Sequence, residues 1–497
     1  MLLISPFLPS RTRNSAAIIL LILSIATLIA GQAGRQQRSS PTDENLAAKE
    51  ITIEARRVIS EARRSALKIM NDNQRGSVLN EIGAAQAKAG LVDAAVVTAN
   101  RAYPQSSATL RAIGQQLSHS NDLVKAEKVA QRLKGGGAAT VFWVLATRQA
   151  EKGKFDEALR ITKYIRAPEV RRSALEEIAL RQTANSDHAA GRKTLALAKA
   201  ADPTGNYQPD DPDANDATIA FEQLSRGEVQ AAEKTIASFK SPDTAFTVMT
   251  SWAEFLSSRG DKAEASGWLE RALKMLPAGE EQDFSRYFTL PIQVKLNQSV
   301  PAMKAVGSFS ADMRPKGYLT IAVVCAEVKD IACVNDALAR MELAERSRQA
   351  GEEFSDFRVK LMTLNVTAAL IANQQLEVAS ELLTRIEQQL NDEMDTMTIE
   401  PGAKLQRVFI LIFKGEFAGA RALALTMPPN EVSEVNRGTA LRTIAVLETK
   451  KNGAASVQLW ASALTDSEDR AYALLGIAEG LLKYDDPKLR YGVIQVY

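Results

Sequence analysis

Two cysteines, two histidines and one acidic run are the residues of this 497-residue chain whose type or spacing could do chemistry. Cys325 and Cys333 flank a predicted helix–helix turn near Val328–Ile331, so they could face each other across a hairpin. Their spacing matches no zinc or redox motif. Two readings stay open: a disulfide, or two small apolar side chains in a core, where cysteine is among the most buried residue types. His119 and His188 fall close to predicted turns in different parts of the chain, where a histidine is expected to be solvated. The run from Asp211 to Glu222 places Asp211, Asp213, Asn215 and Glu222 at positions 1, 3, 5 and 12 of an EF-hand-like loop. Calcium needs several such oxygens converging, with a bidentate Glu at the end. Asp216, however, stands where the sharp turn requires Gly. The competing reading is a polar linker in which Asn215 or Asp216 caps the next helix.

Other chemistries lack their parts. There is no HExxH, no cysteine–histidine cluster and no Gly-x-Ser-x-Gly, which removes the usual metalloprotease, zinc and serine-hydrolase signatures. Gly135-Gly-Gly137 shares only glycine content with a phosphate loop and reads as an interhelix connection. No catalytic, cofactor-binding or metal residue is assigned, and no cofactor is expected.

The elements that would position any site are set by a recurring turn, Gly or Asn followed five residues later by Ala. It occurs as Gly90…Ala95, Asn121…Ala126, Gly153…Ala158, Gly227…Ala232, Gly260…Ala265, Asn297…Ala302 and Gly415…Ala420. Adjacent clear copies are about 31–33 residues apart, the length of one helix–turn–helix unit in a stacked array. From Gln74 to Tyr103, Val78, Leu79, Ile82, Ala85 and Ala89 share one face at helical spacing. Gly90 then supplies the left-handed conformation that ends a helix, and Leu91, Ala94, Ala95 and Thr98 begin a second apolar face. A small Ala after the turn lets two antiparallel axes approach closely. Trp252 and Trp268 lie beside Phe255, Leu256 and Leu269 and are expected in the core. Glu377–Gln389, with Leu382, Leu383 and Ile386 on one face, reads as an ordinary amphipathic helix. With no period-2 segment of convincing length before the tail Tyr491–Tyr497, the class is all-α.

Gly153-Lys-Phe-Asp-Glu-Ala158 and Gly415-Glu-Phe-Ala-Gly-Ala420 resemble the turn of a tetratricopeptide repeat, and Pro104, Pro168, Pro242, Pro277 and Pro428 fall where that family places a terminal proline. The resemblance implies a right-handed superhelix, an α-solenoid of antiparallel helix pairs with about 11 repeats. Most units lack the family's early aromatic and Leu-Gly pair. The copy at Ser186…Gly191 is degenerate, and turns near Asp330, Asn373 and Gly453 fit only loosely.

Charge and the N-terminus bound location and partners. Residues 51–200 carry a net charge of +11 and residues 201–497 a net of −11. The Asp/Pro-rich stretch 201–217 is read as a joint between a basic lobe (51–200) and a more divergent acidic lobe (218–497). Arg56-Arg57, Arg63-Arg64 and Arg171-Arg172 are the densest basic spots, either a docking face for an acidic partner or solubilising surface charge. No aromatics are interleaved with them as stacking platforms, so nucleic-acid binding is not expected. Residues 16–30 are an uninterrupted apolar run after Arg11 and Arg13, ending in the small-x-small pattern Gly31-Gln32-Ala33. That suits a signal peptide over 1–33, and it leaves an uncleaved membrane anchor open. Gln32 occupies the place a lipidated Cys would need. Residues 34–50 follow as a polar linker.

The expectation is an exported, periplasmic or membrane-tethered scaffold that binds a protein or peptide on its concave surface. The alternative is a polysaccharide- or peptidoglycan-acting envelope enzyme on the same frame, which would need facing carboxylates with one pKa raised.

Overall fold

A computed structural model describes residues 43–483 except 121–122, 185–186, 202–212, 277–279, 347–355, 391–398 and 430–436. The N-terminal segment 1–33, most of the 201–217 joint and the tail 491–497 lie outside the described residues. The described chain is all-α, with 24 helices.

The first run is α1 (Asp43–Ala66), α2 (Asp72–Lys88), α3 (Val92–Ala102), α4 (Ser107–Ser120), α5 (Leu123–Ala130) and α6 (Gly137–Glu151). Then come α7 (Phe155–Thr162), α8 (Pro168–Ala184), α9 (His188–Ala200), α10 (Ala214–Ser225), α11 (Val229–Ala237) and α12 (Pro242–Arg259). They are followed by α13 (Lys262–Lys274), α14 (Glu280–Lys295), α15 (Ser299–Gly307), α16 (Met313–Glu327), α17 (Ile331–Arg346) and α18 (Asp356–Ala372). The last are α19 (Leu376–Gln388), α20 (Glu400–Lys414), α21 (Phe417–Leu425), α22 (Arg437–Asn452), α23 (Ala454–Ala463) and α24 (Ser467–Leu481).

The recurring turn has a defined geometry. Gly90, Gly153, Gly227, Gly260 and Gly415 have φ between 73° and 89°, and Asn297 has φ 64°. At Gly90 the N–H of the left-handed residue donates to Ala87 O at 2.9 Å, and that of Leu91 donates to Gln86 O at 2.8 Å. This pair of bonds is the Schellman motif, which satisfies carbonyls the helix end would otherwise orphan. The same two bonds close the helix at Gly153, Gly227, Gly260, Asn297 and Gly415. The alanine five residues on is fully buried in each described copy: Ala95, Ala126, Ala158, Ala232, Ala265, Ala302 and Ala420 all have 0% exposure.

Two of the loosely fitting turns obey the same geometry with unexpected residues. Lys329 (φ 65°) and Gln374 (φ 61°) hold the left-handed position. Gln374 is followed five residues later by the buried Ala379. After Lys329 that place is held by the buried Val334, so a side chain at the turn residue is tolerated and what recurs is a buried apolar residue five positions on.

By contacts the chain divides into two compact units, one from Gln149–Cys325 and Asn335–Ala350, the other from Ser40–Arg148, Ala326–Val334 and Gly351–Tyr497. The second unit thus draws helices from both charge lobes. Inside it, α24 packs on α22 and on α1, and α1 continues onto α2. Val58, Ile59 and Ala62 of α1 share a core with Val78 and Ile82 of α2 and with Leu474, Leu475 and Ile477 of α24. The first and last described helices are consecutive layers of one stack. Gly476 and Gly480 of α24 permit the close approach to α22. A Cβ on Gly476 would collide with the Arg442 carbonyl, and one on Gly480 would lie 2.7 Å from Thr449.

The first unit is centred on aromatics. Trp252 (4% exposed) stacks on Phe255 at 4.9 Å and meets Phe221 edge-on at 5.4 Å. Trp268 belongs to the same buried cluster. Both tryptophans are core, as their apolar neighbours imply. Leu382, Leu383 and Ile386 of α19 are likewise buried.

Candidate functional site

Of the described residues singled out for chemistry, the structure brings together only the two cysteines. Cys325 and Cys333 are disulfide-bonded and also buried, at 0% and 7% exposure, so both sequence readings describe them. His119 is exposed near the end of α4, and His188 opens α9. Gly135 has φ 57° in the connection before α6, and a Cβ there would meet the Tyr103 ring at 2.6 Å. Among the described residues, no group of three or more His, Cys, Asp or Glu is placed to hold a metal ion.

The EF-hand-like run is explained in part by the repeat. Asp213 is buried and its Oδ2 accepts the backbone N–H of Ser241 at 2.7 Å. Asp283 accepts from Ser310 N–H at 2.8 Å in the corresponding place. Each aspartate stands fourteen residues before its left-handed turn residue, Gly227 or Asn297, so Asp213 ties a pair together at its far end. Asp211 and the side chains of Asn215 and Glu222 lie outside the described residues.

Three of the six arginines in the basic spots, Arg56, Arg57 and Arg172, have partners within the chain. Arg56 donates to Ala89 O through Nε (3.3 Å) and Nη2 (3.0 Å), which caps the C-terminus of α2. Arg57 donates to Gln458 Oε1 at 2.9 Å. Arg172 lies 3.8 Å from Glu176. Burial, and then the charge of Arg101, push the Arg63 pKa down.

Buried carboxylates are also held by arginines. Glu479 of α24 receives two bonds from Arg442, one of them Nε to Oε2 at 2.7 Å, and Arg442 also reaches Glu81 at 3.4 Å. Arg421 donates to Glu448 at 2.7 Å, while Trp460 Nε1 donates to the same oxygen at 3.1 Å. Arg437 donates to Asp469 at 2.9 Å. Burial raises the Asp469 pKa and the arginine opposes that rise. Glu479 and Glu448 each receive two donors and Asp469 one, so each carboxylate faces an arginine where it is desolvated.

A surface of distinct chemistry lies on an exposed face of α14. Phe284 and Phe288, one turn apart, are 36% and 39% exposed and meet edge-to-face at 4.9 Å. Tyr287 lies 5.8 Å from Phe288, and its hydroxyl accepts from Thr320 Oγ1 at 2.8 Å. That bond fixes the ring, and burial pushes the Tyr287 pKa up. A pinned tyrosine beside two half-exposed phenylalanines is a pre-ordered apolar platform on the first helix of its pair. Sequence reading passed over it because Phe284-Ser-Arg-Tyr287-Phe288 looks like one more amphipathic stretch. The usable signal is that these aromatics occupy two adjacent stripes of the helix, more than one buried face can absorb.

No protein-family model matches the sequence, and no curated protein matches it. Among solved structures, the chain is similar to a circular tandem repeat protein with a novel repeat topology and enhanced subunit contact surfaces. The match has 14% identity over 94% of this chain and 97% of that one, with a TM-score of 0.14.

Proposed function

We propose that this protein works by binding: it is a helical-repeat scaffold that holds a protein or peptide segment against the first helices of its pairs. The observation that carries the reading is the pair of half-exposed rings, Phe284 and Phe288, ordered against the mostly buried Tyr287, since clustered aromatics with fixed geometry are the usual anchors of interfaces. The same reading takes the pairs as tetratricopeptide-like repeats, about 11 in all, wound right-handedly so that first helices line a concave face. It places the scaffold outside the cytoplasm, exported or tethered by residues 16–30. The Cys325–Cys333 disulfide supports that placement, because disulfides persist in oxidising compartments.

The test is a photo-crosslinking phenylalanine analogue at position 288 in the full chain in its native envelope. A discrete adduct is expected, and it should vanish when Phe284→Asp is added. An identical adduct from the analogue placed at Lys274, an exposed residue on α13, would overturn the platform as the binding surface.

A further inference from the structure

A second feature of α14 lies on a different stripe of the helix and concerns the partner of a buried glutamine. In two pairs, the residue four before the left-handed turn is a Gln whose side-chain carbonyl is satisfied by a Thr eight residues after the turn. Thr98 Oγ1 donates to Gln86 Oε1 at 2.7 Å around Gly90, and Thr235 Oγ1 donates to Gln223 Oε1 at 2.9 Å around Gly227. Around Asn297 the same register places Gln293 opposite Ala305. Alanine has no donor. Gln293 is 7% exposed and its Oε1 has no hydrogen-bond partner, a state that costs about 1–3 kcal/mol in a closed interior.

The missing Thr side chain leaves space as well as an unmet acceptor. Gln293 and Ala305 both line a groove of about 400 Å³ between α13, α14 and α15. Leu273 and Pro301 supply apolar wall, and Arg286 and Lys304 stand at its edge. Neither cation forms an ion pair among the described residues. The lining therefore holds one buried acceptor without a partner, two cations with no ion pair among the described residues, an apolar wall, and two hydroxyls, Thr289 and Ser308, that already donate to the backbone of Arg286 and Ala305.

We infer that this groove is a binding subsite for an extended acidic peptide segment of a partner protein. An extended strand has backbone N–H groups free to meet Gln293 Oε1 when that amide, buried in the unliganded chain, rotates toward the groove, whereas a helix has spent its own. A Glu or Asp of that segment pairs with Arg286 and Lys304, and a neighbouring aliphatic side chain covers Leu273 and Pro301. The inference goes beyond the aromatic platform, whose residues it does not share, although both assume that the scaffold holds peptide.

The experiment titrates the full chain calorimetrically with two blocked peptides, Ac-Leu-Glu-Leu-Glu-NH2 and Ac-Leu-Lys-Leu-Lys-NH2. The acidic peptide is expected to bind and the basic one not to. Ala305→Thr rebuilds the pair seen at Gln86 and Gln223, so it should raise Tm and weaken acidic-peptide binding about tenfold or more, since it both fills the groove and consumes the acceptor. Lys304→Glu, a change at an exposed side chain, should weaken binding without altering Tm. Equal affinity of wild type and Ala305→Thr would overturn the subsite, as would equal binding of the two peptides or no binding at millimolar concentration. Crosslinking at position 288 stands apart from those outcomes. An adduct there with no peptide in the groove removes only the subsite, and peptide in the groove with no adduct removes only the platform.

Discussion

Around α24, the buried carboxylates of the stack are held by arginines; around α14, the corresponding position is a neutral glutamine whose acceptor has no partner. Glu479 and Gln293 make the comparison direct, since each stands four residues before a left-handed turn residue, Lys483 and Asn297 respectively. Glu479 is held by Arg442 within a stack so close that Gly476 is needed beneath the Arg442 carbonyl. Gln293 faces Ala305 and a groove, on a helix that also exposes two phenylalanines. In the stack of α1, α22 and α24, close backbone approach leaves no room for an added group, whereas beside α14 the packing leaves a groove in which something else can pack.

The largest expected effect tests this contrast at one register position. Glu479→Met removes the bidentate partner of a mostly buried arginine and should destabilise the chain by about 3–5 kcal/mol, the usual cost of breaking a buried ion pair from one side. Gln293→Met removes an acceptor that bonds to nothing and should be neutral or stabilising by up to about 1 kcal/mol. Urea denaturation of the two variants measures both. Similar losses would mean that Gln293 has a structural partner and that the contrast is false.

A smaller effect comes from two helical glycines. Gly476→Ala drives a methyl into backbone of α22, which cannot move aside as a flexible side chain would, and should cost about 1–3 kcal/mol. Gly267, in the middle of α13, has nothing within 4 Å of its would-be Cβ. Gly267→Ala should therefore stabilise by about 1 kcal/mol through helix propensity alone. Thermal melts report both signs, and a loss at Gly267 would show that α13 is as tightly covered as α24.

These residues also mark how far the sequence could be read. The turns were legible because Gly or Asn at the left-handed position and Ala five residues later answer local demands, a steric one and a packing one. Gln374 escaped because a non-glycine can hold φ 61° when the surrounding helices enforce it, yet Ala379 still marked the unit. The pairing of α1 with α24 was not legible, since nothing in a sequence of local periods says which distant layers meet. The groove was half legible: the Gln–Thr register at Gly90 and Gly227 is visible in the letters, but only coordinates show that it is a hydrogen bond. Without that, Ala305 is one alanine among many. The Arg56 cap was hidden for the same reason, because a paired arginine on a helix surface reads as solvated charge until its carbonyl acceptor is located.

The smallest effect concerns the turn itself. Gly260 belongs to the unit containing α14 and Gly415 to the unit containing α24, with φ of 89° and 84°. A Cβ in the left-handed region costs about 1–2 kcal/mol whatever the surroundings, so Gly260→Ala and Gly415→Ala should lose about 1 kcal/mol each, measured as equal shifts in chemical denaturation. Gln374→Gly should gain a similar amount by removing the strain that a side chain adds at that position. Equal losses at the two glycines, alongside unequal losses at Glu479 and Gln293, would assign the difference between the regions to how buried polar groups are satisfied. Unequal losses at the glycines would assign it to the turns, and the groove beside Gln293 would then be a by-product of a loose connection rather than of a missing threonine.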